Sequence, residues 1–169
     1  MAVIKVEIAN EQSEHVFDSD LLREAVRIVL KGESVDQGDV SVAIVDDETI
    51  HGMNLKYLQH DYATDVLSFR LSSPGELFEG EIVVSADTAA REAMRYGWNK
   101  ADELLLYLIH GTLHLVGHED ASDAERETMR AKERQYLAAL GRHPSYEERG
   151  PAICDSPTAD CPSEGETRS

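Results

Sequence analysis

The sequence predicts an α+β domain: a small mixed sheet of about four strands, helices packed on it, and one central helix buried on nearly every side. Three observations carry this. Short β-rich runs with alternating polarity recur along the chain. Strand and helix signals alternate, but without the strict strand–helix–strand repeat of an all-parallel sheet. The run Leu104–Ile109 is apolar around its whole circumference, which marks a helix with no face turned to water.

The elements follow in order. Val3, Val6 and Ile8, broken by Lys5 and Glu7, read as a first strand. Asp18 or Ser19 can cap a helix through about Lys31, where Leu22, Val26 and Val29 share a face. Gly32 ends it, Gly38 marks a turn, and Val40–Val45 is a strand. Asp46 and Asp47 start a helix to about Tyr57. Asp65–Arg70 and Glu81–Ser85 are strands separated by a Ser-Ser-Pro-Gly turn and the loop after it. Ser85 or Asp87 caps a helix ending at Gly97, Asp102 opens another to about Val116, and a last helix runs from Ser122 to Leu140 before Gly141.

At 169 residues the chain is long enough for one domain. From Pro144 onward Ser, Thr, Pro, Gly and acidic residues dominate. The expected organisation is therefore a single domain over 1–143 and a disordered acidic tail over 144–169. Charge is strongly negative, with 33 Asp+Glu against 16 Lys+Arg and a net charge of −17, and most of it belongs to the domain. That excludes a basic nucleic-acid coat protein. It leaves room for an enzyme that meets nucleic acid through a local positive site, for which Lys56, Arg70, Arg91 and Arg95 are candidates. Lys5 and Glu7 interrupt any secretory leader, and no apolar run is long enough to cross a bilayer. Cys154 and Cys161 both lie in the tail, six residues apart with no histidine nearby. They read as incidental thiols, and the chain as cytoplasmic.

The sharpest chemical feature is His110-Gly-Thr-Leu-His114-Leu-Val-Gly117-His118-Glu119-Asp120. Two histidines four apart on a buried helix face the same way, which suits two ligands of one first-row metal ion. Gly117 can turn the chain back so that a third ligand swings in. Asp120 has the better reach and His118 is the alternative. Three protein ligands leave a position open, the mark of a catalytic rather than a structural zinc site. His15, His51, His60 and His143 are scattered and are assigned to no metal. The metalloprotease signature is incomplete, because Gly111 stands where its general-base Glu belongs.

Three segments resemble the YbeY family of bacterial ribosomal-RNA maturation factors, metal-dependent endoribonucleases. His110–Gly117 is similar to that family's His-Gly-x-Leu-His-Leu-x-Gly. Ala63-Thr64-Asp65-Val66-Leu67-Ser68-Phe69 resembles its Pro-Thr-Asp-Val-Leu-Ser-Phe. Gly80-Glu81-Ile82 resembles its Gly-Asp-Ile segment. Two positions depart from the family. Asp120 stands where the third ligand is usually His, and Leu58 stands where an Arg follows Tyr57 and is thought to act on the substrate phosphate. Lys56 and Arg70 are the candidates to bind substrate in its place, and no residue is assigned as catalytic base. The Thr64-Asp65 pair reads mainly as structural support for the strand that follows.

The resemblance implies one Zn2+ held by His110, His114 and Asp120, and cleavage of single-stranded RNA near the 3′ end of small-subunit ribosomal RNA. Its partners would be ribosomal RNA and the ribosome or its assembly factors, with no DNA and no membrane. Two other functions stay open on the sequence: a metal-dependent hydrolase of peptides or small molecules, and a non-catalytic ribosome-assembly factor.

Overall fold

A computed structural model describes residues 3–143. The expected tail over 144–169, with both cysteines, lies outside the described residues. The chain runs β1 (Ile4–Asn10), α1 (Ser19–Gly32), β2 (Gly38–Val45), α2 (Asp47–Leu58), β3 (Val66–Arg70), β4 (Phe78–Ser85), α3 (Ala86–Tyr96), α4 (Lys100–Leu115) and α5 (Asp123–Ala139). The α+β fold with a four-stranded mixed sheet is the one the sequence predicts.

The strands lie in the order β1-β2-β4-β3. β1 and β4 flank β2 in parallel, with Ile8 opposite Val42 and Val42 opposite Ile82. β3 joins the far side of β4 antiparallel, with Ser68 opposite Ile82. Alternation along the strands divides the core. Val40, Val42, Ile44, Val66, Ile82 and Val84 join the main cluster with α1 and α4, while Val45, Leu67 and Val83 form a smaller cluster with Ile50 of α2.

Helix starts follow side-chain caps. Asp18, Asp46 and Ser85 accept backbone N–H bonds in the first turns of α1, α2 and α3, and Ser122 with Glu125 closes a capping box on α5. α4 starts earlier than the sequence suggests. Asn99 is its cap and accepts from Asp102 N–H at 2.8 Å, so Asp102 sits inside the first turn. β4 also starts earlier, at Phe78, because Phe78 and Glu79 pair with Gly38 and Asp39 across the sheet. That pairing is set by the partner strand and not by any alternation of its own.

α4 is the centre of the domain. Leu104, Leu105, Leu108, Ile109 and Leu113 are all fully buried, each contributing about 1.5–3 kcal/mol of transfer free energy. Such burial favours a partner within the protein for the polar side chains of α4, although the buried Tyr107 Oη has no hydrogen-bond partner among the described residues. Glu103 accepts from Trp98 Nε1 at 2.6 Å, and Thr112 Oγ1 donates to the Leu108 carbonyl at 2.6 Å. His110 is met by α5, as described next.

Candidate metal centre

α4 presents His110 and His114 one turn apart, with ring centroids 4.6 Å apart. The helix then ends. Gly117 adopts φ +104°, and His118 N–H returns to the Leu113 carbonyl at 3.0 Å, a left-handed turn that reverses the chain. The reversal carries Asp120 back over the histidines. Asp120 Oδ2 lies 3.4 Å from His110 Nε2 and 3.6 Å from His114 Nε2, and the two Nε2 atoms are 3.1 Å apart. Among the described residues these three are the one group of His, Cys, Asp and Glu whose donor atoms converge in this way.

The triangle has dimensions that suit a divalent first-row metal ion such as Zn2+. Tetrahedral donors at ~2.0–2.1 Å from one ion lie roughly 3.3–3.4 Å from each other, and the three observed edges straddle that value. The donors are also prepared electronically. His110 Nδ1 approaches Glu133 Oε2 at 2.6 Å. An ionised carboxylate only accepts, so the ring proton sits on Nδ1 and the Nε2 lone pair faces the cluster. Two imidazole nitrogens facing each other at 3.1 Å repel unless a proton or a cation lies against them. Asp120 supplies the balancing negative charge. Burial raises its carboxyl, but in the metal-free protein the neighbouring His110 and His114 outweigh this and hold it well below the usual carboxylate range. The donor set therefore fits a divalent ion.

The rival third donor is engaged elsewhere. His118 Nε2 lies 2.8 Å from Glu33 Oε1 at the end of α1 and takes no part in the cluster. Glu133 was not legible as a site residue from motif spacing alone. A signal was present, however: Met129, Glu133, Tyr136 and Leu137 are the buried positions of α5, and an acid in an apolar stripe implies a buried partner.

Gly111 faces the sheet. A Cβ there would meet Ser68 Oγ at 2.9 Å, Val66 Cγ2 at 3.0 Å and Ile82 Cγ2 at 3.2 Å. Close approach of α4 to β3 and β4 requires glycine, and Ser68 Oγ completes the contact by donating to the Gly111 carbonyl at 2.9 Å. A Glu at 111 would point into the sheet, away from His110 and His114. Thr64 and Asp65 are buried, and the Asp65 carbonyl accepts from Ser85 N–H at 3.0 Å, which sets the entry of β3 beside β4.

The cationic candidates are scattered. Arg70 is exposed at the end of β3. Its Nη1 donates to the Leu115 carbonyl at 3.2 Å, so the guanidinium sits at the C-terminus of α4, one residue beyond His114. Lys56 is exposed on α2 with its Nζ 5.2 Å from the Tyr57 ring. Arg91 pairs with Asp47 at 3.0 Å, and Arg95 lies 3.7 Å from Glu92. Leu58 packs against the smaller apolar cluster under α2.

The Endoribonuclease YbeY family model matches residues 7–141. The chain belongs to the YbeY endoribonuclease family. A YbeY endoribonuclease of Chloroherpeton thalassium is 43% identical over 122 residues, covering 72% of this chain and 86% of that protein. One from Salinibacter ruber is 37% identical over 146 residues, covering 82% and 93%. A solution structure of a Thermotoga maritima protein matches at a TM-score of 0.56 and 27% identity, covering 87% of this chain and 99% of that one. The YbeY match spans β1 to α5, so it includes both the sheet and the converging His110, His114 and Asp120.

Proposed function

We propose that this chain is a metal-dependent endoribonuclease, specific for single-stranded RNA, that acts in maturation of the 3′ end of small-subunit ribosomal RNA and in ribosome quality control. The observation that carries the reading is the convergence of His110, His114 and Asp120 in a member of an endoribonuclease family. Zn2+ is the ion proposed, held by those three side chains. When bound, such an ion lowers the pKa of its water and polarises a phosphoryl oxygen.

The protein's own groups hold and orient. Glu133 keeps the His110 proton on Nδ1, so that Nε2 faces inward with its lone pair. Asp120 stays ionised and offsets part of the ion's charge. The exposed Arg70 guanidinium, anchored on the Leu115 carbonyl, is placed to meet a substrate phosphate at the same end of α4. Lys56 is the second candidate cation for the RNA strand. With Leu58 packed into an apolar cluster, no cation comes from that position. Among the described residues no helix is long and apolar enough to cross a membrane. A cytoplasmic site of action, with ribosomal RNA and the ribosome or its assembly factors as partners, completes the proposal.

The test uses purified full-length chain with a single-stranded RNA and, separately, a peptide library, each before and after chelation. RNA cleavage that is lost on chelation and restored by Zn2+ supports the reading. Peptide cleavage instead would favour the general hydrolase, although Gly111 argues against it by facing the sheet. Metal and RNA binding without cleavage would make the chain an assembly factor. Mapping of ribosomal-RNA 3′ ends in a deletion strain tests the biological assignment.

A further inference from the structure

In the loop between α4 and α5, His118 and Asp120 point to different places. Asp120 turns to the histidine pair and His118 turns to Glu33. Glu33 sits at the C-cap of α1, where its own N–H bonds the Val29 and Leu30 carbonyls. Its carboxylate accepts from three sources: Tyr136 Oη at 2.5 Å, His118 Nε2 at 2.8 Å and Lys132 Nζ at 3.0 Å. Only 11% of its side chain is exposed, so water competes little for these bonds. Tyr136 reaches it because residue 32 is glycine, since a Cβ there would lie 2.3 Å from Tyr136 Oη.

Glu33 thus joins three elements at one point: the end of α1, the reversing loop and α5. The last of these carries Glu133, next to Lys132, against His110. The loop has further anchors, one of them the His118 N–H on the Leu113 carbonyl. Gly117 turns it, and Arg126 Nη1 bonds the Asp120 and Ala121 carbonyls at 3.2 and 2.8 Å. Between those anchors the side chain at 118 is tied down by Glu33. Without that tie, the His118 side chain no longer braces residues 118–120 against α1 and α5, and the aim of the Asp120 carboxylate loosens.

We infer that Glu33 is a positioning residue for the metal centre, acting through His118 to hold Asp120 against His110 and His114. The inference rests on the metal reading above and concerns this chain's own side chains. His118 is therefore a strut of the ligand loop and not a ligand.

The test is cobalt binding by the full chain, followed by chelator competition and by the visible absorption of the bound ion, whose bands report donor geometry. His118→Leu and Glu33→Ala are each expected to weaken Co2+ binding by roughly 10–100-fold, as loss of an outer-shell support does, and to change the bands. His118→Gln keeps an N–H donor toward Glu33 and is expected to restore most of the affinity and the original bands. The double variant Glu33→Ala/His118→Leu is expected to bind no more weakly than Glu33→Ala alone, because the two residues act as one unit. A merely structural role would lower the melting temperature of the metal-free chain and leave the bands of the folded, loaded protein unchanged. If Glu33→Ala fails to fold, the two His118 variants decide. Unchanged affinity and unchanged bands in His118→Leu overturn the inference. Failure of the unaltered chain to bind Co2+ overturns the metal reading and this inference with it.

Discussion

Removing Glu133 separates what the proposed metal ligands do by themselves from what their support does. The His110 side chain is only 9% exposed and its Nδ1 lies 2.6 Å from Glu133 Oε2. In Glu133→Ala the metal-free protein can relocate the ring proton to Nε2 and share it with His114 Nε2, 3.1 Å away. Metal binding must return that proton to Nδ1, which has lost its Glu133 acceptor. An unsatisfied buried donor costs about 1–3 kcal/mol, which is about 5–150-fold in metal affinity at 1.4 kcal/mol per decade. That range brackets the roughly 10–100-fold seen when outer-shell partners of metal-bound histidines are lost. Glu133→Gln keeps an acceptor oxygen and loses only the charge assistance, about 1 kcal/mol, so about fivefold. The assay is Zn2+ affinity by competition with a chromophoric chelator at neutral pH. The expected order is unaltered chain, then Gln, then Ala. Equal affinity in Glu133→Ala and the unaltered chain, or weaker binding by Gln than by Ala, would refute the reasoning about the Nδ1 proton.

Other outcomes follow from the same geometry. Asp120→Ala should lose metal by orders of magnitude, and much more than His118→Ala does, while Asp120→His retains it because imidazole and carboxylate bind zinc at nearly the same length; metal stoichiometry after gel filtration checks this. Glu33 is buried, which raises its carboxyl, but bonds from Tyr136, His118 and Lys132 outweigh this and hold it at about 2, below its ordinary 4.5. A carboxyl depressed in the folded state stabilises above its unfolded pKa, and the contribution fades as pH falls. The stability deficit of Glu33→Gln in urea should therefore be full above pH 4.5 and shrink as pH approaches about 2; a deficit constant over that window counts against it. Arg70→Ala should weaken RNA binding and flatten its salt dependence, with the slope of log affinity against log salt changing by about 1. An unchanged slope would place the phosphate contact elsewhere.

Much of this protein was legible from local pattern. Alternation in Val40–Val45 and the all-round apolarity of Leu104–Ile109 follow from residue order alone, because strand and helix periods are properties of the backbone. The same holds for His110 and His114: four residues on one helix place two imidazoles together whatever packs around them. Gly117 announced the reversal, since only a residue tolerant of positive φ turns the chain there. Where β4 begins, by contrast, was decided by its ladder with β2, and where α4 begins by the Asn99 side chain. The choice between Asp120 and His118 was likewise tertiary. Spacing permits both, and what separates them is Glu33, 85 residues away along the chain, drawing His118 out of the cluster. Glu133 reached His110 only through the packing of α5 on α4, 23 residues apart in sequence. Local periodicity identifies a pair of candidate metal donors on one helix; the partners that aim and charge it come from other elements, and only chain folding brings those within hydrogen-bond distance.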